Sequence, residues 1–422
     1  DLKWGRLKGG AGAAAGSNDY VEISSAPRWK AACYYALFDR KTLKDKAKSR
    51  LGSRPLLYRL CKTGYTSLKG VYKGVRRIYT FFRYPVVGKK KDCSMKVMSG
   101  QTKLDGTGKI LYSAVSEYGI LCCMIHKQRY NADKSCILMI SEWRKNKLKL
   151  LEETGLFEAV YVFSDNALRK ISFSMNGRMK TESSRQKCAE EWFRAFEIQF
   201  PFAITSFSEI IVTNNAMSLG LYLEHSNIAY AAFEDAAGIY SDPTLQRENV
   251  QMTFPAVEQW LIETYKCLEG GGACQKWYIN YAAQKKAFSK EKTEDFSPCV
   301  LLNSLSESDR SKILSVFGVY ESCTEQGNGK SCLILTYPLA DRMKISKADQ
   351  QFIYACFADL FSKGLDLIYI KPHPDDHVDY STLSEIEIIP SGVLSELLSY
   401  RIGGKIQRAV SAVSTALNNL SE

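Results

Sequence analysis

The sequence predicts two α/β domains, each built on a mostly parallel sheet, and three observations lead there. Short apolar runs alternate with amphipathic or charged stretches from about residue 107 onward, the texture of βαβ units. The alternation comes in two series, separated by the glycine cluster Leu268-Glu269-Gly270-Gly271-Gly272 and a polar stretch over residues 285–296. Finally, Lys371-Pro372-His373-Pro374 follows the apolar run 365–370, which places a histidine beyond a buried strand. Open α/β sheets bind ligands there, outside the carboxyl ends of their strands.

The first series has apolar runs at residues 109–112, 118–125, 136–140, 159–163 and 209–213, with a charged stretch over 142–153. The second begins near residue 300, with runs at 332–336, 367–370, 386–389 and 409–411. The boundaries this predicts are 107–298 for an N-terminal Rossmann-like domain and 299–422 for a C-terminal one, facing each other across a cleft. A chain of 422 residues suits two or three domains. No run of 18 apolar residues occurs, so a membrane-spanning helix is not expected.

Ahead of these series lies a different composition. Residues 1–18 read as a flexible leader or expression scar, outside the fold. Residues 19–106 form a basic, aromatic-rich extension with helical apolar stripes. The first 100 residues hold 23 basic and 6 acidic side chains, a balance of +17, whereas the remainder carries −5. Basic residues interleaved with Tyr and Phe over 28–91 suit an anionic membrane surface; the same pattern suits nucleic acid. The 13 cysteines include no CxxC pair, so zinc ligation is not expected. Free thiols in a reducing cytoplasm are.

Three places combine polar chemistry with strand ends. Glu234-Asp235 closes the run 228–233, where an acidic pair is costly to desolvate unless it is used or paired. Adjacent carboxylates can raise one another's pKa, which suits a general base; helix N-capping is the structural alternative. His373 stands on a backbone stiffened by its flanking prolines, and an imidazole can pass a proton to or from a phosphate near neutral pH. Ser411, Ser414 and Thr415 bring hydroxyls to the start of a predicted helix, where unpaired N–H groups attract phosphate, unless Ser414 is only a cap. By contrast, Gly327-Asn328-Gly329-Lys330-Ser331 mimics the tail of a phosphate-binding P-loop but has Thr324 where the pattern needs glycine, and a strand rather than a helix follows.

Together, in this order, the three motifs resemble the bacterial sialyltransferases and polysialyltransferases of the GT-B fold, whose signatures are D/E-D/E-G, HP and Ser-Ser/Thr. The resemblance spans roughly residues 107–420. It is strengthened by the run 333–339, which looks like the first strand of that family's second domain. What it implies is an inverting, metal-independent transferase with no cofactor beyond a CMP-sugar donor. Glu234 would be the base that deprotonates the acceptor hydroxyl, with Asp235 beside it. His373 would meet the donor phosphate, flanked by Lys371 and Pro374, with Ser414 and Thr415 holding that phosphate and Ser411 among the nucleotide-binding residues. Ser391 lies where the family makes nucleotide contacts, and Glu396 would reach the ribose. No DxD motif occurs, which agrees with a transferase that needs no metal. The chain departs from the pattern at Ala236, where the family has glycine.

On this reading the donor is a CMP-activated sugar, with sialic acid foremost. The acceptor is a glycan or lipid-linked glycan of a bacterial surface polysaccharide or lipooligosaccharide. The enzyme sits on the inner face of the plasma membrane as a peripheral cytoplasmic protein, without nucleic acid as a partner. Two rivals share the motifs: a transferase using CMP-Kdo, and a CDP-polyol polymerase of the teichoic-acid type. A third belongs to another class, a non-catalytic membrane or nucleic-acid binder acting through the basic segment.

Overall fold

A computed structural model describes residues 103–234, 243–280, 290–319, 329–343, 345–383, 385–402 and 405–411. All belong to one compact unit, Lys96–Glu422. The basic segment 28–91, the leader, Asp235, Ser414 and Thr415 lie outside the described residues.

The first half of the unit contains β1 (Ile110–Ala114), β2 (Cys136–Ser141), β3 (Ala159–Phe163), β4 (Glu209–Val212), β5 (Tyr230–Phe233), β6 (Cys274–Ile279) and β7 (Thr293–Asp295). They form one sheet in the order β3-β2-β1-β4-β5-β6-β7. Every pairing is parallel. β1, β2 and β5 are buried along their whole length, as strands covered on both faces must be. Strand order reverses between β1 and β4, the switch point of a doubly wound sheet.

The helices of this half are α1 (Glu117–Tyr130), α2 (Leu148–Glu153), α3 (Asp165–Met175), α4 (Glu182–Gln199), α5 (Ser218–His225), α6 (Pro243–Thr253), α7 (Ala256–Thr264), α8 (Pro298–Asn303) and α9 (Glu307–Val316). The second half adds β8 (Lys330–Leu335), α10 (Leu339–Met343), α11 (Lys347–Phe361), β9 (Leu367–Lys371), β10 (Glu387–Ile388), a 3-10 helix (Ser395–Tyr400) and β11 (Lys405–Ser411). Its sheet runs β10-β9-β8-β11, again all parallel. Two parallel α/β sheets in one unit are the GT-B-type architecture that the sequence predicts.

Three sequence expectations need correction. The apolar run 118–125 is the interior of α1, not a strand; every residue from Tyr118 to Lys127 is buried. Ser116 caps this helix by accepting from the Gly119 N–H, and Glu117 occupies its first turn, favourable against the positive end of the helix dipole. The glycine cluster 268–272 is a turn, not a break: Gly270 and Gly271 adopt positive φ, open to glycine without strain, and β6 continues the same sheet. β7 falls in the stretch 285–296 that was read as polar connection.

The halves share apolar packing. One cluster of buried side chains includes Ile120, Leu138 and Phe233 from the first half and Leu333, Ile389 and Leu397 from the second. Between them α8 and α9 pack on α1, and α8 also meets the 3-10 helix. The opposite face of each sheet has its own core, one around Trp192, Phe196 and Trp277, the other around Ile334, Tyr354 and Tyr380.

Candidate active site

Glu234 is the first residue beyond β5. Its N–H donates to the Tyr278 carbonyl at 3.0 Å, so the neighbouring strand fixes its backbone. The side chain is 4% exposed. The hydroxyl of Tyr118, in the first turn of α1, points at its Oε1 from 3.5 Å. Burial drives the Tyr118 phenol well above its ordinary pKa, and Cys122, Glu234 and Glu396 push the same way. Cys122, one turn further along α1, is raised by burial, with Glu234 and Glu396 again contributing.

Those two groups on α1 thus lie within the fields of Glu234, from the first half, and Glu396, on the 3-10 helix of the second. A cation from the second sheet joins them. Lys371 ends β9 and is 6% exposed. Burial lowers its pKa, partly offset by Glu396 and by Glu117 of α1. Glu117 is also 3.9 Å from the Arg144 guanidinium. Glu234, Tyr118 and Lys371 are thus buried, and the half-buried Glu117 and Glu396 contribute negative charge near Lys371.

The proline-flanked histidine follows directly. The His373 carbonyl accepts the Asp376 N–H at 2.8 Å, closing a turn whose second residue is Pro374, the position where proline's fixed φ fits best. Its ring accepts at Nδ1 from the Asp375 N–H at 3.1 Å, and its own N–H donates to the Thr336 hydroxyl at 3.1 Å. Pairing of β8 with β9 and β11 sets Leu335 opposite both Lys371 and Ser411. Lys371 and Ser411, the first residues of the second and third motifs, therefore lie at one level of the sheet, two strand spacings or about 10 Å apart. Ser391 is half-buried in the loop after β10, and Glu396 is half-buried too. Pro374 is exposed at the tip of its turn.

Sequence reasoning missed Tyr118, Glu117, Thr336 and Asp376. Tyr118 opens the apolar run 118–125, and Glu117 stands just before it. Thr336 closes a run of apolar residues, and Asp376 follows the histidine by three positions, so a search for hydroxyls and carboxylates next to the motif could have found both.

A second polar feature occupies the switch point of the first sheet. Ser113, Ser141, Asp165, Thr213, Asn214 and Ser218 help to line a cavity of about 10 Å³, room for roughly one water. Asp165 is 3% exposed and accepts from the Ser218 hydroxyl at 3.2 Å. Burial raises its pKa, against bonds from Ser141 and Ser218.

No protein-family model matches the chain, and no curated protein matches it. Among solved structures, UDP-GlcNAc 2-epimerase from Neisseria meningitidis bound to UDP-GlcNAc aligns at 11% identity and a TM-score of 0.37, over 72% of this chain and 77% of that one. A UDP-glucose:anthocyanidin 3-O-glucosyltransferase in complex with UDP aligns at 13% identity and 0.39, over 75% and 80%. Arabidopsis thaliana UGT89C1 complexed with UDP-L-rhamnose aligns at 8% and 0.38, over 74% and 75%. Superpositions this loose say nothing about chemistry, and the fold class stands on the two sheets themselves.

Proposed function

We propose that the protein is a glycosyltransferase that moves a sugar, foremost sialic acid, from a CMP-activated donor to a glycan acceptor with inversion at the anomeric carbon. The observation that carries this reading is that Glu234, reached by the Tyr118 hydroxyl at 3.5 Å, and Lys371, at the end of β9, flank the one buried cluster that takes in Tyr118 and Phe233 from the first half and Tyr369 from the second. A base from one sheet and the phosphate-side residues of the other are what in-line displacement requires.

Glu234 takes the proton of the acceptor hydroxyl as its oxygen bonds the anomeric carbon. The bond from that carbon to the phosphate oxygen breaks, and its electron pair leaves with CMP. Lys371 offers a desolvated positive charge to the phosphate, and electrostatic stabilisation is strongest in such water-poor places. Serine and threonine hydroxyls at the ends of the second sheet's strands would complete the phosphate site, so a single phosphate needs no metal. Because Glu234 and Lys371 are both nearly closed off, substrates reach them only when the halves part, a motion common in enzymes that exclude water.

Thermal-shift measurements with CMP, CDP, UDP and GDP test the donor. Selective stabilisation by CMP is expected, about 2.7 kcal/mol at a concentration 100 times its Kd. Preference for CDP would point to the polyol-phosphate rival. Glu234→Gln should lower transfer by about 10²- to 10⁴-fold while keeping the CMP-induced shift. Transfer at the wild-type rate in that variant removes Glu234 from the mechanism.

A further inference from the structure

Behind His373 lies a buried network that the catalytic scheme leaves unexplained. Asp376 is 8% exposed, and both its oxygens are occupied. Oδ1 accepts from the Gln350 amide at 2.9 Å and from the Val378 N–H at 3.0 Å. Oδ2 accepts from the Tyr380 hydroxyl at 2.9 Å and from the Thr336 hydroxyl. Gln350 also donates to the Tyr380 hydroxyl at 2.8 Å, and its carbonyl accepts from the Ala340 N–H at 2.6 Å. Since the Thr336 proton goes to Asp376, its oxygen is left to accept the His373 N–H. A chain of two hydrogen bonds thus runs from a fully used carboxylate through Thr336 to the backbone of the histidine.

The ring is constrained as well. An imidazole nitrogen that accepts an N–H carries no proton of its own, so Nδ1, bonded by the Asp375 N–H, must be the bare nitrogen of a neutral ring. The proton then resides on Nε2. An imidazolium would place an N–H against the Asp375 N–H. The Tyr337 ring, 6.1 Å away and edge-on, is the aromatic neighbour.

We propose that Thr336 and Asp376 are positioning residues that fix the His373 backbone and its turn, so that the Asp375 N–H holds the ring as a neutral imidazole with its proton on Nε2, a hydrogen-bond donor to the leaving phosphate rather than an acid that gives its proton away. This rests on the transferase reading for the phosphate, whereas the ring's state does not. As the sugar–phosphate bond breaks, one negative charge accumulates on the phosphate oxygen. A fixed donor stabilises that charge without any proton changing hands, the mode of an oxyanion hole.

The test is nitrogen NMR of the full chain labelled on histidine, at pH 7.5, with His373→Gln assigning one signal among the four histidines. The expected result is a protonated Nε2 and a bare Nδ1. A protonated Nδ1, alone or with Nε2, overturns the proposal. Thr336→Val should blur this signal into a mixture of tautomers and lower kcat about 100-fold, the size of effect expected when a reacting group is misplaced by about 1 Å. KM for the CMP-sugar should stay within a few-fold, and Thr336→Ser, which keeps the hydroxyl, should restore both signal and rate. Should Thr336→Val fold poorly, the wild-type spectrum and the serine variant still decide. A wild-type protein that transfers from no CMP-sugar ends the functional reading, and the NMR result then stands as the sole judge of the positioning.

Discussion

At the scale of single residues, the chain spends its four histidines on different tasks, and His126 shows how burial alone sets one of them. Its Nδ1 lies 2.8 Å from the Tyr112 hydroxyl, which also accepts from the Asn131 amide at 2.8 Å. Tyr130, Phe233, Tyr278 and Phe296 surround the ring. Burial pushes its pKa down to about 3, with Lys276 and Lys134 adding to the shift. An unfolded histidine titrates near 6.5, so between these values the unfolded chain binds more protons and stability is lost as the pH is lowered. Above pH ~6.5 both states are neutral and there is no penalty. Lowering the pH to 5 should cost about 2 kcal/mol from this residue. Urea unfolding at pH 7 and pH 5 would show it, and His126→Gln should remove that share of the loss. An identical slope in the variant would mean the ring is solvated. Nothing in the sequence distinguished His126 from a functional histidine; its neighbours come from β1, β5, β6 and the segment before α8, and only folding assembles them.

Elements depend on close approaches that sequence pattern conceals. Gly220, in the first turn of α5, follows the strand end that lines the switch-point cavity. A Cβ there would stand 2.4 Å from the backbone oxygen of Asn215. Gly119 in α1 is similar, with a Cβ 2.7 Å from the Thr213 hydroxyl. Replacing a helical glycine by alanine ordinarily stabilises by about 1 kcal/mol. At Gly220 the sign should reverse, with a loss of about 1–3 kcal/mol from overpacking against backbone, measurable as a lowered urea midpoint. An unchanged or raised midpoint would show that the α5 turn can shift. The same burial explains what was misread at this scale. β1 to β5, β8, β9, β10 and β11 were legible because a doubly covered parallel strand is a short apolar run. α1 had no polar stripe to reveal its 3.6-residue period, since it too is covered on all sides. β7, with the sequence Thr293-Glu294-Asp295, has no apolar run to find.

For the whole molecule, one apolar cluster crossing both halves makes them a shared body in this state, and Glu234 and Lys371 flank it. Among the described residues no helix is long and apolar enough to cross a membrane. The excess positive charge is confined to the first 100 residues. A polybasic segment gains about 1 kcal/mol per Lys or Arg near an anionic surface, so removing residues 1–100 should abolish binding to phosphatidylserine-containing vesicles at low salt. Transfer to a soluble acceptor should continue. Co-sedimentation checks the first outcome, and vesicle binding that survives the deletion would place the contact on the α/β unit instead.

Patterning by itself determined the two-sheet α/β class and the strand-end positions of Glu234, His373 and Ser411. Burial leaves a local signature of apolar runs, and proline and acidic residues at their ends are visible one at a time. The tertiary structure alone decided that α1 is a helix, that Tyr118 reaches Glu234, and that Asp376 is tied to the His373 backbone through Thr336. Those contacts link residues 37 to 116 positions apart. Their energies arise from desolvation and hydrogen bonding in a shared interior, which no local stretch of sequence encodes.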